Sequence, residues 1–169
     1  MTDLRLRPLR QEDEARARQA HVELAAEEFT FLLDWEPDAP WADHVRDVEL
    51  RRCGLRVPEG WVPATFLVAV VGGDLVGRVS VRHRLTDRLA VAGGHIGYAV
   101  RPAHQGRGYA TEMLCQALVV ARSHGLDDVL LTCDDTNAAS AAVITRCGGV
   151  LDGVHVDQDG RRTRRYWIA

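Results

Sequence analysis

The chain has 169 residues, 46% hydrophobic and 27% charged, with a formal net charge of −3. That length suits one domain with a real core, and the small negative charge offers no general attraction to nucleic acid or an anionic membrane, so neither is expected among its partners. The start, Met1-Thr2-Asp3-Leu4-Arg5, has no apolar signal region, and no apolar run approaches the roughly 18 residues of a membrane span, which predicts a cytoplasmic protein.

The four cysteines (Cys53, Cys115, Cys133, Cys147) stand singly and are expected to be core thiols. With the seven histidines equally scattered, no metal site is predicted.

In chain order, Leu4-Arg5-Leu6-Arg7-Pro8-Leu9 alternates as a short strand, with Pro8 marking an edge or a strand end. Residues 13–29 follow a helical pattern, and Glu12, Asp13 and Glu14 suit the positive end of that helix. An irregular aromatic segment with Trp35 and Trp41 precedes a second helix over 42–52. Two apolar strands, 66–71 and 75–84, flank Gly72-Gly73-Asp74, which suits a tight hairpin. Arg78, Arg82, His83 and Arg84 make the second strand basic, either as a solvated or ion-paired face or as a partner for an acidic ligand. Residues 83–93 carry no firm pattern and are expected to form a loop or short turn.

The stretch 94–114 is the most informative. Ile96, Tyr98 and Val100 alternate with His95, Gly97 and Ala99, and Arg101-Pro102 ends the strand because proline has no amide proton to give a ladder. Gln105-Gly106-Arg107-Gly108-Tyr109-Ala110 follows, and then Met113, Leu114, Ala117, Leu118 and Ala121 recur at helical spacing. A strand, a glycine turn and a helix start form an anion site, since the first-turn amides lack partners and the glycines let the backbone come close.

Beyond Asp127-Asp128, a second apolar strand spans 129–133. Asn137 then opens a small-residue helix that ends at Gly148-Gly149. Residues 150–156 and 161–168 are divided by Asp157-Gln158-Asp159-Gly160, a hairpin signal. Arg161, Arg162, Arg164 and Arg165 make that hairpin either a charged edge or a border of a binding cleft.

Gln105-x-x-Gly108-x-Ala110 resembles the Q/R-x-x-G-x-G/A signature with which the GNAT superfamily of N-acetyltransferases holds the pyrophosphate of acetyl-CoA. The resemblance covers about residues 96–149. GGHIGYAVRP together with the closing RRYWI is also similar to a bacterial subgroup whose acceptors are mostly undefined. The resemblance implies one α/β domain over residues 1–169: a mixed, mostly antiparallel sheet flanked by helices, with a parallel pair of strands splayed apart at a bulge. Pantetheine would enter the gap and pair with the backbone of Tyr98, Ala99 and Val100. Gln105, Gly106, Arg107, Gly108, Tyr109, Ala110 and Thr111 would hold the pyrophosphate. Asn137 matches a position that bonds the pantetheine arm, and a helix cap explains it equally.

The chemistry implied is direct attack of an acceptor amine on the thioester, with a base, a backbone oxyanion donor and an acid for the thiolate. His95 is the first candidate base, on the strand where members carry a glutamate, with a histidine satisfied by packing as its alternative. Asp134 and Asp135 come next. The acid is unassigned, because Ile144 falls where many members carry a tyrosine, and Tyr109 is expected to pack beside the cofactor. Trp35, Trp41 and Trp61 either cap the core or line the acceptor site. All 21 basic residues are arginine, so only the N-terminus could accept an acetyl group from its own donor. Homodimers are frequent in the superfamily, and a homodimer is an expectation here.

Three other readings carry less of the pattern. A non-catalytic acyl-CoA-binding regulator would explain the missing tyrosine. A dinucleotide site would need a third glycine where Thr111 stands. A thiol nucleophile at Cys133 would need an adjacent base.

Overall fold

The computed structural model describes residues 3–169; Met1 and Thr2, and with them the amino group considered above as a self-acceptor, lie outside the described residues. The described chain runs β1 (Arg5–Pro8), α1 (Glu14–Ala25), α2 (Trp41–Arg52), β2 (Ala64–Val71), β3 (Asp74–Arg82), α3 (Asp87–Val91), β4 (Ile96–Val100), α4 (Tyr109–Ser123), β5 (Val129–Asp134), α5 (Ala138–Arg146), β6 (Val150–Val156) and β7 (Arg162–Ile168). No helix among them is long and apolar enough to cross a membrane.

The strands form two antiparallel sheets, ordered β1-β2-β3-β4 and β5-β7-β6. Alternation along β2 puts its side chains on both faces of the first sheet. Ala69 joins Val79, Val81, Ile96 and the stripe Met113, Leu114, Ala117 and Ala121 of α4 in one core. Phe66 and Val68 join Ala17, Ala20 and Leu24 of α1 and Trp41 and Val48 of α2 in the other.

No ladder joins β4 to β5, so the expected parallel pair is absent as a sheet. The two sheets meet just ahead of β4, where His95 N donates to Leu130 O at 2.7 Å. The next ladder position is closed because the His95 ring takes it: Nδ1 accepts from Leu130 N at 2.9 Å. Gly94, at φ +60°, allows this approach, since a Cβ there would run into the Leu130 carbonyl. The bulge expected in the central strand is also missing. The register of β4 on β3 is unbroken from Gly77↔Val100 to Val81↔Ile96, and the irregularities fall at Ala69/Val70 and Leu151/Gly153.

Two departures from the predicted elements exceed two residues. Helix α1 stops at Ala25 rather than Phe29: Phe29 N returns to Leu24 O at 3.0 Å and Glu28 sits at φ +56°, which turns the chain out of the helix. The segment expected to be a loop contains α3, whose first turn Thr86 caps by accepting from Leu89 N at 3.3 Å. Of the cysteines only Cys133 is buried; Cys115 and Cys147 face each other across α4 and α5 at 3.7 Å.

Candidate functional site

Strand β4 is hydrogen-bonded along one edge. Arg82 N donates to His95 O (2.7 Å) and Arg101 N to Val76 O (2.8 Å). The alternation of an antiparallel ladder then gives Gly97 and Ala99 the bonds to β3 and turns the N–H and C=O groups of Tyr98 and Val100 to the opposite edge. Of the three residues expected to meet pantetheine, two therefore have backbone groups aimed at the gap, and Ala99 contributes its side chain alone. The end of β4 is fixed by Arg101, which donates to both oxygens of Glu23 at 2.8 Å and to Leu75 O at 2.9 Å.

After a single 3₁₀ turn, Pro102–His104, the glycine turn enters α4. Gly106 and Gly108 have φ +74° and +81°, values that favour glycine. Gly108 occupies the N-cap with no side chain to cap the helix, and the first helical bond is Glu112 N to Gly108 O at 3.2 Å. The amides of Tyr109, Ala110 and Thr111 thus precede the first intrahelical bond, and the helix dipole adds to their pull on an anion. Helix α5 contrasts with this: Asn137 Oδ1 caps it by accepting from Ser140 N at 3.0 Å. Gln105 Nε2 donates to Val100 O at 3.2 Å and to Glu27 at 3.1 Å, tying the turn to β4 and to the end of α1.

These elements enclose a cleft of about 750 Å³ between β4, the turn and α5. Ten of the eleven residues assigned to the cofactor line it; Arg107 does not, and its Nη2 donates to Ala103 O at 3.2 Å. Seven lining residues were not expected from the sequence, among them Phe29, His104, Ser140 and Arg146. The cleft holds Tyr98, whose hydroxyl lies 2.9 Å from Ser140 Oγ. Burial pushes this phenol up to about 12, so it keeps its proton at neutral pH. Ile144, by contrast, is fully buried in the core and leaves the tyrosine position of α5 without access to the cleft.

The candidate bases are placed elsewhere. His95 is 5% exposed and does not line the cleft. Because Nδ1 accepts the Leu130 N–H, the neutral ring carries its proton on Nε2, while burial and the Arg82 charge hold its pKa below the usual range. Asp134 accepts from Thr136 and pairs with Arg161, and Asp135 pairs with Arg162 and Arg164 at 2.8 and 2.6 Å. Those bonds hold both carboxyls below the ordinary range, which weakens them as proton acceptors. They also neutralise the β6–β7 hairpin arginines, and Arg165 pairs likewise with Asp152 at 2.8 Å.

A second cavity, of about 330 Å³, lies on the α2 face of the first sheet, between β2, β3, α2 and α3. Trp61, 40% exposed, forms one wall. Trp41 is buried and donates to Arg10 O at 3.2 Å, and Trp35 packs edge-on against His21, so neither lines this cavity. Between cleft and cavity stands Arg78, 3% exposed, with its guanidinium carbon 4.3 Å from the Phe29 ring centre and 5.7 Å from that of Phe66. Phe29 lines the cleft and Phe66 the cavity.

Residues 3–150 match the family described as the acetyltransferase (GNAT) domain. Among solved structures, the chain is similar to yncA from Salmonella typhimurium with its cofactor acetyl-CoA (18% identity, TM-score 0.65, covering 98% of this chain and 92% of that one). It is also similar to the ribosomal-protein-S5-alanine acetyltransferase from Vibrio fischeri (17%, TM-score 0.70, 99% and 93%). RimJ from Mycobacterium smegmatis in complex with CoA-disulfide is a third (19%, TM-score 0.70, 98% and 81%). A search of curated proteins returns no match.

Proposed function

The chain belongs to the GNAT acetyltransferase family, whose co-substrate is acetyl-CoA, and we propose that it transfers the acetyl group to an amine entering from the Trp61 cavity. The observation that carries this is the uncapped start of α4 opening into a cleft bordered by the unpaired edge of β4. The pyrophosphate would lie against the amides after Gly108, with Arg146 and His104 across the cleft. The pantetheine amides would pair with the C=O of Tyr98 and the N–H of Val100, on the edge where a neighbouring strand would otherwise be. A cofactor running down this edge carries its thioester toward Gly97, and the amine meets it from the other side of Arg78.

Attack of the amine nitrogen on the thioester carbon forms the C–N bond, and collapse of the tetrahedral intermediate breaks the C–S bond. The N–H of Tyr98, on the open edge, would stabilise the oxyanion. The Tyr98 hydroxyl, protonated and paired with Ser140, donates to the departing thiolate. Among the described residues neither His95 nor Asp134 reaches the cleft, so the amine loses its proton to water. Arg78 and Arg82 favour this, because adjacent positive charge lowers the pKa of an ammonium.

Acetyl-CoA titrated calorimetrically, followed by thiol release with a panel of amines, tests the assignment: binding with amine-dependent thiol release supports transfer. Binding without release from any amine supports instead an acyl-CoA-binding regulator. Tyr98→Phe removes one hydrogen bond to a charge formed late in the reaction. Such a bond is worth roughly 1.5–3 kcal/mol, so kcat should fall about 10–100-fold with acetyl-CoA affinity within about twofold of the wild type. An unchanged kcat would assign the thiolate's proton to solvent.

A further inference from the structure

Of the three arginines that line the second cavity, Arg82 and Arg88 lack, among the described residues, the carboxylates that neutralise those of the hairpin. Among the described residues no Asp or Glu lines that cavity, whereas Arg51, Arg82 and Arg88 do. Arg82 Nη1 donates to the carbonyls of Gly93 and Gly94 at 3.0 Å, and no ion pair is formed by Arg82 or Arg88 within 4 Å among the described residues. Arg51 is 5% exposed; its Nη2 donates to Asp34 at 3.0 Å, yet its buried Nε has no partner. Its guanidinium carbon lies 5.2 Å from the centre of the Trp61 ring. Arg78 next to the cavity donates only to the carbonyls of Thr30, Phe31 and Gly97. A methyl group on Gly97 would lie 3.7 Å from Arg82 Nη2 and 3.8 Å from Arg78 Nη1, so the two guanidinium groups converge on β4.

Buried charge without a counter-ion is costly, and a bound anion relieves that cost. The remaining wall is apolar and aromatic, with Leu33, Val48, Phe66 and Leu89 beside Trp61. The volume is at the low end of the roughly 300–1,000 Å³ typical of small-molecule sites.

We infer that the acceptor is a small amine bearing a carboxylate on an apolar or aromatic body, the carboxylate lying among Arg82, Arg51 and Arg88 and the body against Trp61 and Phe66. The inference rests on the acetyltransfer proposed above for its orientation: the carboxylate is held at the α3 end of the cavity and the amine points past Gly97 to the thioester. The same arginines disfavour polyamines and other acceptors whose body is cationic.

The probes are 3-phenylpropanoate and its uncharged counterpart 3-phenylpropan-1-ol, titrated into the full chain saturated with acetyl-CoA, with binding read by calorimetry and by the Trp61 indole N–H resonance. The carboxylate is expected to bind at least about tenfold more tightly than the alcohol and to shift the Trp61 signal. In Arg82→Gln that preference should shrink to about twofold or less while the alcohol still binds, which also shows that the variant is folded. Arg88→Gln, at an exposed position, should lose part of the preference without any effect on folding. Equal affinities, a preference for the alcohol, no binding of either probe at millimolar concentration, or a preference that survives both substitutions would overturn the inference. A separate titration with acetyl-CoA alone distinguishes the two failures. If acetyl-CoA does not bind, the acetyltransfer proposal falls and the carboxylate pocket stands by itself; if it binds and the carboxylate preference is missing, only the acceptor assignment falls.

Discussion

Gly108→Val is expected to cost the protein at least about tenfold in acetyl-CoA affinity, or about 1.4 kcal/mol, with the fold kept. Two effects act together. Gly108 has φ +81°, and a β-branched residue there is strained by roughly 1–3 kcal/mol, which shifts the turn ahead of α4. A Cβ added there meets nothing in the protein within 4 Å, and Gly108 lines the cleft together with Tyr109, Ala110 and Thr111. A ligand that needs their amides is pushed away, while the core stripe of α4 is untouched. Calorimetric titration of acetyl-CoA together with thermal unfolding separates the two: unchanged affinity in a folded variant would put the pyrophosphate elsewhere.

His95→Ala should act on the fold instead of on the chemistry. The substitution leaves the buried Leu130 N–H without its acceptor, at about 1–3 kcal/mol, and opens a hole at the junction of the two sheets. A total loss of about 2–4 kcal/mol is expected in urea unfolding. At temperatures where the variant is folded, kcat should stay within about threefold of the wild type. The wild-type rate should rise with pH through the ionisation of the acceptor amine, moving when an amine of different pKa is used, and the variant should follow the same curve. A 100-fold fall in kcat with an inflection lost near the histidine range would return the base to His95.

The strand at 96–100, the glycine turn and the helix beyond it were legible in the sequence because each is fixed by neighbours a few residues away: a two-residue period, a proline stop, a left-handed glycine, a helical apolar stripe. Nine of the residues that line the cleft, from Tyr98 to Thr111, belong to that local grammar. The role of His95 was not legible, because it depends on Leu130, 35 residues on, and a ring nitrogen in place of a carbonyl leaves no trace in a hydropathy pattern. The basic hairpin and the basic strand β3 looked alike in sequence. Only the fold sets Asp134, Asp135 and Asp152 against the hairpin arginines and none against Arg78 or Arg82. Phe29 and Arg146 reach the cleft from segments distant in sequence, and α3 is too short to show a period.

The two sheets touch at His95 and Leu130 and then part, and in the binding mode proposed above acetyl-CoA would supply a neighbour for the outer edge of β4. A ligand that binds the native state alone stabilises it by mass action, about 2.7 kcal/mol at a concentration 100 times its Kd. The stability of the protein should then rise with acetyl-CoA concentration. Proteolysis of the purified protein should accordingly slow as acetyl-CoA is added, and a cleavage rate that ignores the ligand would break this link.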